Sequence, residues 1–272
     1  MKLISAVTVL LASAMMVACA SDPTSRDPAK LTDFQAEKKL KEAWPDSLGD
    51  GQAEPYHRIA PVIDGDEIFI ASSNGKVAAL KKSNGKKVWK ESYDLRISGG
   101  VGVSGTLLFL GTSDGEIVAI DRLSGDIVWK TQVSSEVLSA PQSNGSVVVA
   151  QTYSGDVQGF NFEDGKLLWS YSSQVPRLTL RGTSTPKVVG GIVMIGFANG
   201  RVMAFDIDNG TQLWEQRISV PQGSTEIERL VDVDGRLLVM EDGQTVVATG
   251  YQGQVMAIDV RSGRPLWVKE TS

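Results

Sequence analysis

Five fifteen-residue stretches align without a gap, at 75–89, 115–129, 155–169, 200–214 and 253–267, and each opens on glycine and closes on tryptophan. A glycine also stands ten residues before each stretch and ten residues into it. The resulting ladder (Gly65, Gly75, Gly85; Gly105, Gly115, Gly125; Gly145, Gly155, Gly165; Gly190, Gly200, Gly210; Gly243, Gly253, Gly263) takes up fifteen of the 28 glycines. Such self-similarity means that one supersecondary unit is stacked on copies of itself. Short β-type runs lie between the ladder glycines, as at 67–71, 107–110 and 147–150, and Asn-Gly or Asp-Gly pairs at several turns supply the positive φ of tight hairpins. Each unit is therefore predicted to be a four-stranded antiparallel meander. Meanders whose tryptophans recur every 40 to 53 residues describe the blades of an all-β propeller, where radial packing protects strand edges that a lone meander would expose.

A tryptophan fixed at one place per blade is predicted to anchor neighbouring blades, with ligand stacking as the weaker reading. An aspartate recurs on the same register, as Asp121, Asp206 and Asp259, and is expected to bind turn amides rather than to act as an acid or base. The pattern Ala119-x-Asp121-x-x-Ser124-Gly125-x-x-x-Trp129 repeats as Ala204, Asp206, Gly210, Trp214 and as Ala257, Asp259, Gly263, Trp267. It resembles the tryptophan-docking motif of the pyrroloquinoline quinone (PQQ) type propeller repeat.

Composition narrows the chemistry. A formal net charge of −5 leaves no excess of cation to neutralise phosphates, so no nucleic acid is expected as a partner. One Cys and one His allow no intramolecular disulfide and no zinc site of paired Cys and His ligands. Cys19 and His57 are the sole candidates for a Cys–His pair, and His57 is expected to be a polar surface residue. Residues 111–115 match G-x-S-x-G, but they hold a repeat position read as a hairpin turn. Residues 100–105 match G-x-G-x-x-G, yet the strand-like run 106–110 follows where a dinucleotide site needs a helix. No catalytic residue, metal or cofactor is expected.

The N-terminus reads as an address. Lys2 precedes an apolar run over 3–17, long enough for a signal-peptide core and short for a membrane span. The run ends Met16-Val17-Ala18-Cys19, which resembles the lipobox of bacterial lipoproteins, with Met16 where leucine is usual. Cys19 would then be acylated, and Ala20 rather than Asp after it implies sorting to the outer membrane. An ordinary signal peptide cut after Ala20 is the alternative. The expected organisation is a signal peptide over 1–18, a lipidated tether over 19–43 and a propeller over 44–272. Phe34, Leu40 and a charged face give 31–44 the makings of a short docking helix.

Trp44 stands 45 residues before Trp89, within the later spacings, and should lie on an outer strand. The fifth repeat already carries its own Trp267, so Trp44 belongs to a further blade. The expectation is five blades of eight, in a chain truncated at its C-terminus. Its rival is a five-bladed ring with a surplus strand.

The rhythm falters twice. Sixteen residues separate Trp89 from Gly105 and Trp129 from Gly145, but 21 separate Trp169 from Gly190 and 29 separate Trp214 from Gly243. Additions between regular strands lengthen loops on a rigid scaffold, where binding function usually sits. The lengthened runs, L-x-L-R-G-x-S-x-P within 175–186 and G-S-T-E-I-x-R-L-x-D-V-D within 221–234, resemble those of the BamB family, lipoprotein subunits of the outer-membrane β-barrel assembly (BAM) machinery. The resemblance implies a non-catalytic scaffold, lipid-anchored to the outer membrane and facing the periplasm. It also implies that these loops bind the POTRA region of BamA, the central barrel subunit, and through it reach the other BAM subunits. Carried over by motif, the contacts are Leu178, Leu180 and Arg181 from the first loop and Asp232 and Asp234 from the second. Whether the two aspartates touch the partner or brace the loop is left open. Exposed strand edges are a further place for unfolded barrel substrates, by β-augmentation. The rival of another class is a PQQ-dependent dehydrogenase, which shares the repeat; many alcohol-oxidising members carry an adjacent Cys pair that this chain lacks.

Overall fold

The computed structural model describes residues 32–270 apart from 34, 36, 40, 46, 47 and 252. The signal segment and Cys19 lie outside the described residues. No described residue between 32 and 57 is helical, so the helix expected over 31–44 is not found among them.

The described residues form twenty-one strands. β1 (Arg58–Ile59) is a short outlier, and the first four-stranded unit comprises β2 (Val62–Asp64), β3 (Glu67–Ala71), β4 (Lys76–Lys81) and β5 (Lys87–Ser92). The second comprises β6 (Ile97–Ser104), β7 (Leu107–Thr112), β8 (Glu116–Asp121) and β9 (Ile127–Gln132). The third runs through β10 (Gln142–Ser143), β11 (Val147–Gln151), β12 (Asp156–Asn161) and β13 (Leu167–Ser172). The fourth is β14 (Lys187–Val189), β15 (Ile192–Gly196), β16 (Arg201–Asp206) and β17 (Gln212–Arg217), and the fifth is β18 (Leu238–Val239), β19 (Thr245–Thr249), β20 (Gln254–Asp259) and β21 (Pro265–Glu270). Each unit is an antiparallel meander in chain order, and β1 adds to β6 in parallel as a fifth strand of the second sheet. Both misleading motifs fall on hairpins: β6 takes up residues 100–104 of the G-x-G-x-x-G run and Gly105 opens the turn into β7, while 111–115 is the end of β7 and the tight turn before β8.

The repeated sequence repeats its register. Each strand-borne tryptophan faces a small residue: Ala79 opposite Trp89, Ala119 opposite Trp129, Gly159 opposite Trp169, Ala204 opposite Trp214 and Ala257 opposite Trp267. A bulge follows at the same place in all five sheets. The indole then reaches the sheet that comes next in the chain. Trp89, Trp129, Trp169 and Trp214 donate their indole N–H to the carbonyls of Arg122, Phe162, Ile207 and Val260, at 2.8, 2.9, 2.8 and 2.8 Å. Their rings lie on Gly125, Gly165, Gly210 and Gly263, where a β-carbon would come within 2.5–3.0 Å of the ring. These glycines also have φ between 68° and 84°, so glycine is required there for both conformation and clearance. The tryptophans are therefore blade-to-blade anchors, each left only 8% exposed.

Trp44 does the same for the first sheet, donating to the Lys82 carbonyl at 3.2 Å with its ring on Gly85. It does so from irregular chain, not from the outer strand expected of it. Trp267 is 48% exposed. Four apolar clusters fill the spaces between consecutive sheets, for example Phe69, Val77 and Trp89 of the first against Leu108, Leu110 and Ile120 of the second. The repeated Asp binds turn amides as expected: Asp121 Oδ1 accepts from the N–H groups of Leu123 and Ser124, and Asp206 Oδ1 from those of Asp208 and Asn209.

A second inter-blade relay lies where the lengthened loops end. Ser98 donates to the Val137 carbonyl, Ser139 to that of Ser184, and Ser184 to that of Gly235, at 2.8, 3.0 and 3.0 Å. These serines tie the chain entering one sheet to the chain entering the next, and so fix the C-terminal ends of both long loops.

Candidate partner-binding face

The additions fall between β13 and β14 and between β17 and β18. In the first, Leu178 is 41% exposed, Leu180 is half-buried and Arg181 is exposed. The Arg181 guanidinium lies 4.5 Å over the Tyr56 ring and 5.4 Å from the Tyr153 ring, and its Nη2 donates to Glu136 Oε1 at 2.6 Å. Two rings and a carboxylate from three separate segments thus hold one cation at the surface. It spends a single N–H on Glu136, so the other donors of its planar fork are unspent.

In the second loop, Glu228 is reciprocally bonded to the turn before it. Its Oε2 accepts from the Ser224 and Thr225 N–H groups at 2.7 and 2.9 Å, and its own N–H donates to Thr225 Oγ1 at 3.2 Å. This is the capping-box arrangement, read from T-x-x-E, used here on an isolated turn. The bonds from the Thr225 and Ser224 backbone N–H groups, and then the Thr225 side chain, hold the Glu228 carboxyl below the usual carboxylate range. The locked turn leaves Ile227 66% exposed while Leu230, Val231 and Val233 are buried. Ile227 was not among the expected contacts. An isoleucine flanked by glutamates in an inserted loop was the signal available for it.

The two loops meet at one buried carboxylate. Asp232 is 1% exposed, and its Oδ1 accepts the Leu180 N–H at 2.9 Å while Oδ2 has no partner. Of the two roles left open for it, buried Asp232 has the geometry of a brace for the first loop. Asp234 is half-buried and accepts from Arg58 Nη2 at 3.1 Å, a contact between residues 176 apart in sequence. The expectation for the single histidine is corrected. His57 is buried, with its ring edge-on to Tyr56 at 4.9 Å and Nδ1 unpartnered. Burial lowers its pKa and keeps the imidazole neutral at pH 7.

Burial, opposed by the Leu180 N–H, pushes the Asp232 pKa up to about 6. A carboxyl whose folded pKa lies above its unfolded value takes up protons on folding, so the fold gains stability as pH falls from above 6 toward 4. Asp232→Asn removes that titration yet keeps an oxygen to accept from Leu180. The difference in Tm between wild type and Asp232→Asn is therefore expected to move in favour of wild type between pH 7.5 and pH 5. A pH-independent difference in thermal melts would contradict the burial of a charged Asp232.

No group of three or more His, Cys, Asp or Glu side chains among the described residues is arranged to hold a metal ion. The first loop thus exposes Leu178 and carries Arg181, the second exposes Ile227, and the buried Asp232 of the second holds the backbone of the first.

Comparison with known proteins agrees on the family. The family model described as outer membrane protein assembly factor BamB matches residues 10–96 and 75–272. The outer membrane protein assembly factor BamB of Marinobacter adhaerens is 56% identical over 259 residues, covering 95% of this chain and 66% of that protein. Its namesake in Pseudomonas aeruginosa is 49% identical over 265 residues, covering 97% and 69%. The chain thus spans about two thirds of these relatives' length. The crystal structure of BamB from Moraxella catarrhalis superposes with a TM-score of 0.72 at 32% identity, over 79% of this chain and 64% of that one. A europium-containing methanol dehydrogenase superposes with a TM-score of 0.64 at 15% identity, over 85% and 53%, which shows a common fold alone. Along nearly its whole length, the chain belongs to the BamB family of outer membrane protein assembly factors.

Proposed function

We propose that this protein is a non-catalytic scaffold of the BAM complex, which docks on the POTRA region of BamA through its two lengthened loops and supports insertion of β-barrel proteins into the outer membrane. The observation that carries this reading is the exposure of Leu178 beside a preorganised Arg181, on a loop tied through the Leu180 N–H to the buried Asp232 of a second loop that itself exposes Ile227. Exposed apolar side chains around an arginine fork have the composition of an interface centre, and a preformed loop avoids an ordering cost on binding. Acylated Cys19 would tether the scaffold to the outer membrane on its periplasmic side.

Leu178→Ala combined with Arg181→Ala is expected to leave the thermal melt within a few degrees of wild type and to weaken binding of the purified POTRA region about thirtyfold or more, the scale of a lost hot spot. Unchanged affinity in isothermal titration would refute the face. Cys19→Ser should lose metabolic fatty-acid labelling, and persistent labelling would refute the anchor.

A further inference from the structure

Beside Arg181 lies a hollow of about 690 Å³, whose walls include Tyr56, His57, Arg58, Arg181, Asp234 and Arg236. It is lined by three guanidinium groups and one carboxylate. Arg58 spends one N–H on Asp234, and Arg181 spends one on Glu136 behind it. Arg236 is exposed and makes no hydrogen bond or ion pair with any described residue. A further polar group stands unused in the wall: His57, 8% exposed, whose Nδ1 has no partner. A lone surface arginine is ordinary. Three planar forks around one concavity, with unspent donors on each and a buried imidazole beside them, are the makings of an anion site.

We propose that this hollow is a carboxylate-binding pocket that receives an acidic side chain of the partner docked on the Leu178 face, with Arg236 as its principal ligand. The proposal rests on the docking reading above. Arg236 lies just beyond the second loop motif and had no place in the expected contact set. The size suits a side chain together with its flanking peptide, since the volume falls within the range of ligand pockets. Asp234 and Glu136 already offset Arg58 and Arg181, which leaves one cation unmatched and suits a singly charged carboxylate. The tyrosine beneath Arg181 gives the pocket a rigid floor, because its ring already packs against the guanidinium.

The test uses the full chain and the purified POTRA region of BamA as the probe, with Arg236→Glu, Arg236→Ala and Leu178→Ala compared by isothermal titration. Arg236 touches nothing that its loss would release, so both Arg236 variants should melt as wild type does. Arg236→Glu is expected to weaken binding tenfold or more, and Arg236→Ala to weaken it less and reduce its salt dependence. One Asp or Glu→Arg substitution in the POTRA region should restore binding to Arg236→Glu. Binding of Arg236→Glu within twofold of wild type, while Leu178→Ala weakens it, would overturn the pocket and leave the face standing. Full binding by both Arg236→Glu and Leu178→Ala would overturn the face and the pocket together.

Discussion

Trp169→Ala is expected to cost about 3–5 kcal/mol, the range for emptying a fully packed aromatic site, and so to consume much of the stability of a domain of this kind. The residue is 8% exposed and does three things together: it covers Gly210, donates to the Ile207 carbonyl, and stacks 6.4 Å from Phe205 in the following sheet. Truncation removes the ring and leaves the carbonyl without its donor, so a cavity and an unsatisfied acceptor are created in one interface. Trp267→Ala is the internal control in this 272-residue chain. It occupies the same register position at 48% exposure and should cost about 1 kcal/mol or less, since surface substitutions have small effects. Chemical denaturation of the two variants checks the contrast; equal losses would mean that docking onto the next sheet contributes nothing.

Gly196→Ala is expected to damage binding from a residue that no partner touches. Gly196 ends β15, and an added β-carbon there would run into the Val233 carbonyl oxygen and come within 2.7 Å of its side chain. Val233 is held by its N–H bond to the Phe197 carbonyl, and its neighbour Asp232 holds Leu180. The methyl group can be accommodated only by shifting the 231–234 segment, which withdraws the brace from the first loop. Overpacking of this kind costs about 1–3 kcal/mol. The expected result is a Tm lowered by several degrees together with at least tenfold weaker capture of the POTRA region, while Gly243→Ala, where a β-carbon meets nothing within 4 Å, leaves capture unchanged. Its φ of 64° still makes that control mildly strained, so its own Tm provides the baseline.

The scaffold was legible because its rules are local and repeated. Glycine at positive φ, a small residue opposite tryptophan, and an aspartate or asparagine on turn amides each recur at fixed spacing, and any one copy would have been weak evidence alone. The strand over 67–71 was read to the residue, and those at 107–110 and 147–150 fell short by two residues and one. Trp44 was placed correctly as a docking tryptophan but wrongly on a strand, because the motif specifies an indole on a glycine and not the backbone that delivers it. The site was less legible. Leu178 and Arg181 could be picked out as loop residues, but the burial of Asp232 depends on Val233 packing against Gly196, a contact set by the fold and not by spacing. His57 was misjudged for the same reason, since it stands directly before β1, which pairs with β6 from a distant part of the chain. Arg236 carried no motif at all; only the hollow around it gives it meaning.

Each docking indole grips the sheet that follows it and nothing beyond. The blades are thus coupled like links, and disturbance in one is felt chiefly by its immediate neighbours. Stretched between its ends in an optical trap, such a molecule should yield as a staircase, one clasp per step of about forty residues, with the tie between Arg58 and Asp234 among the few fastenings that span more than a single link.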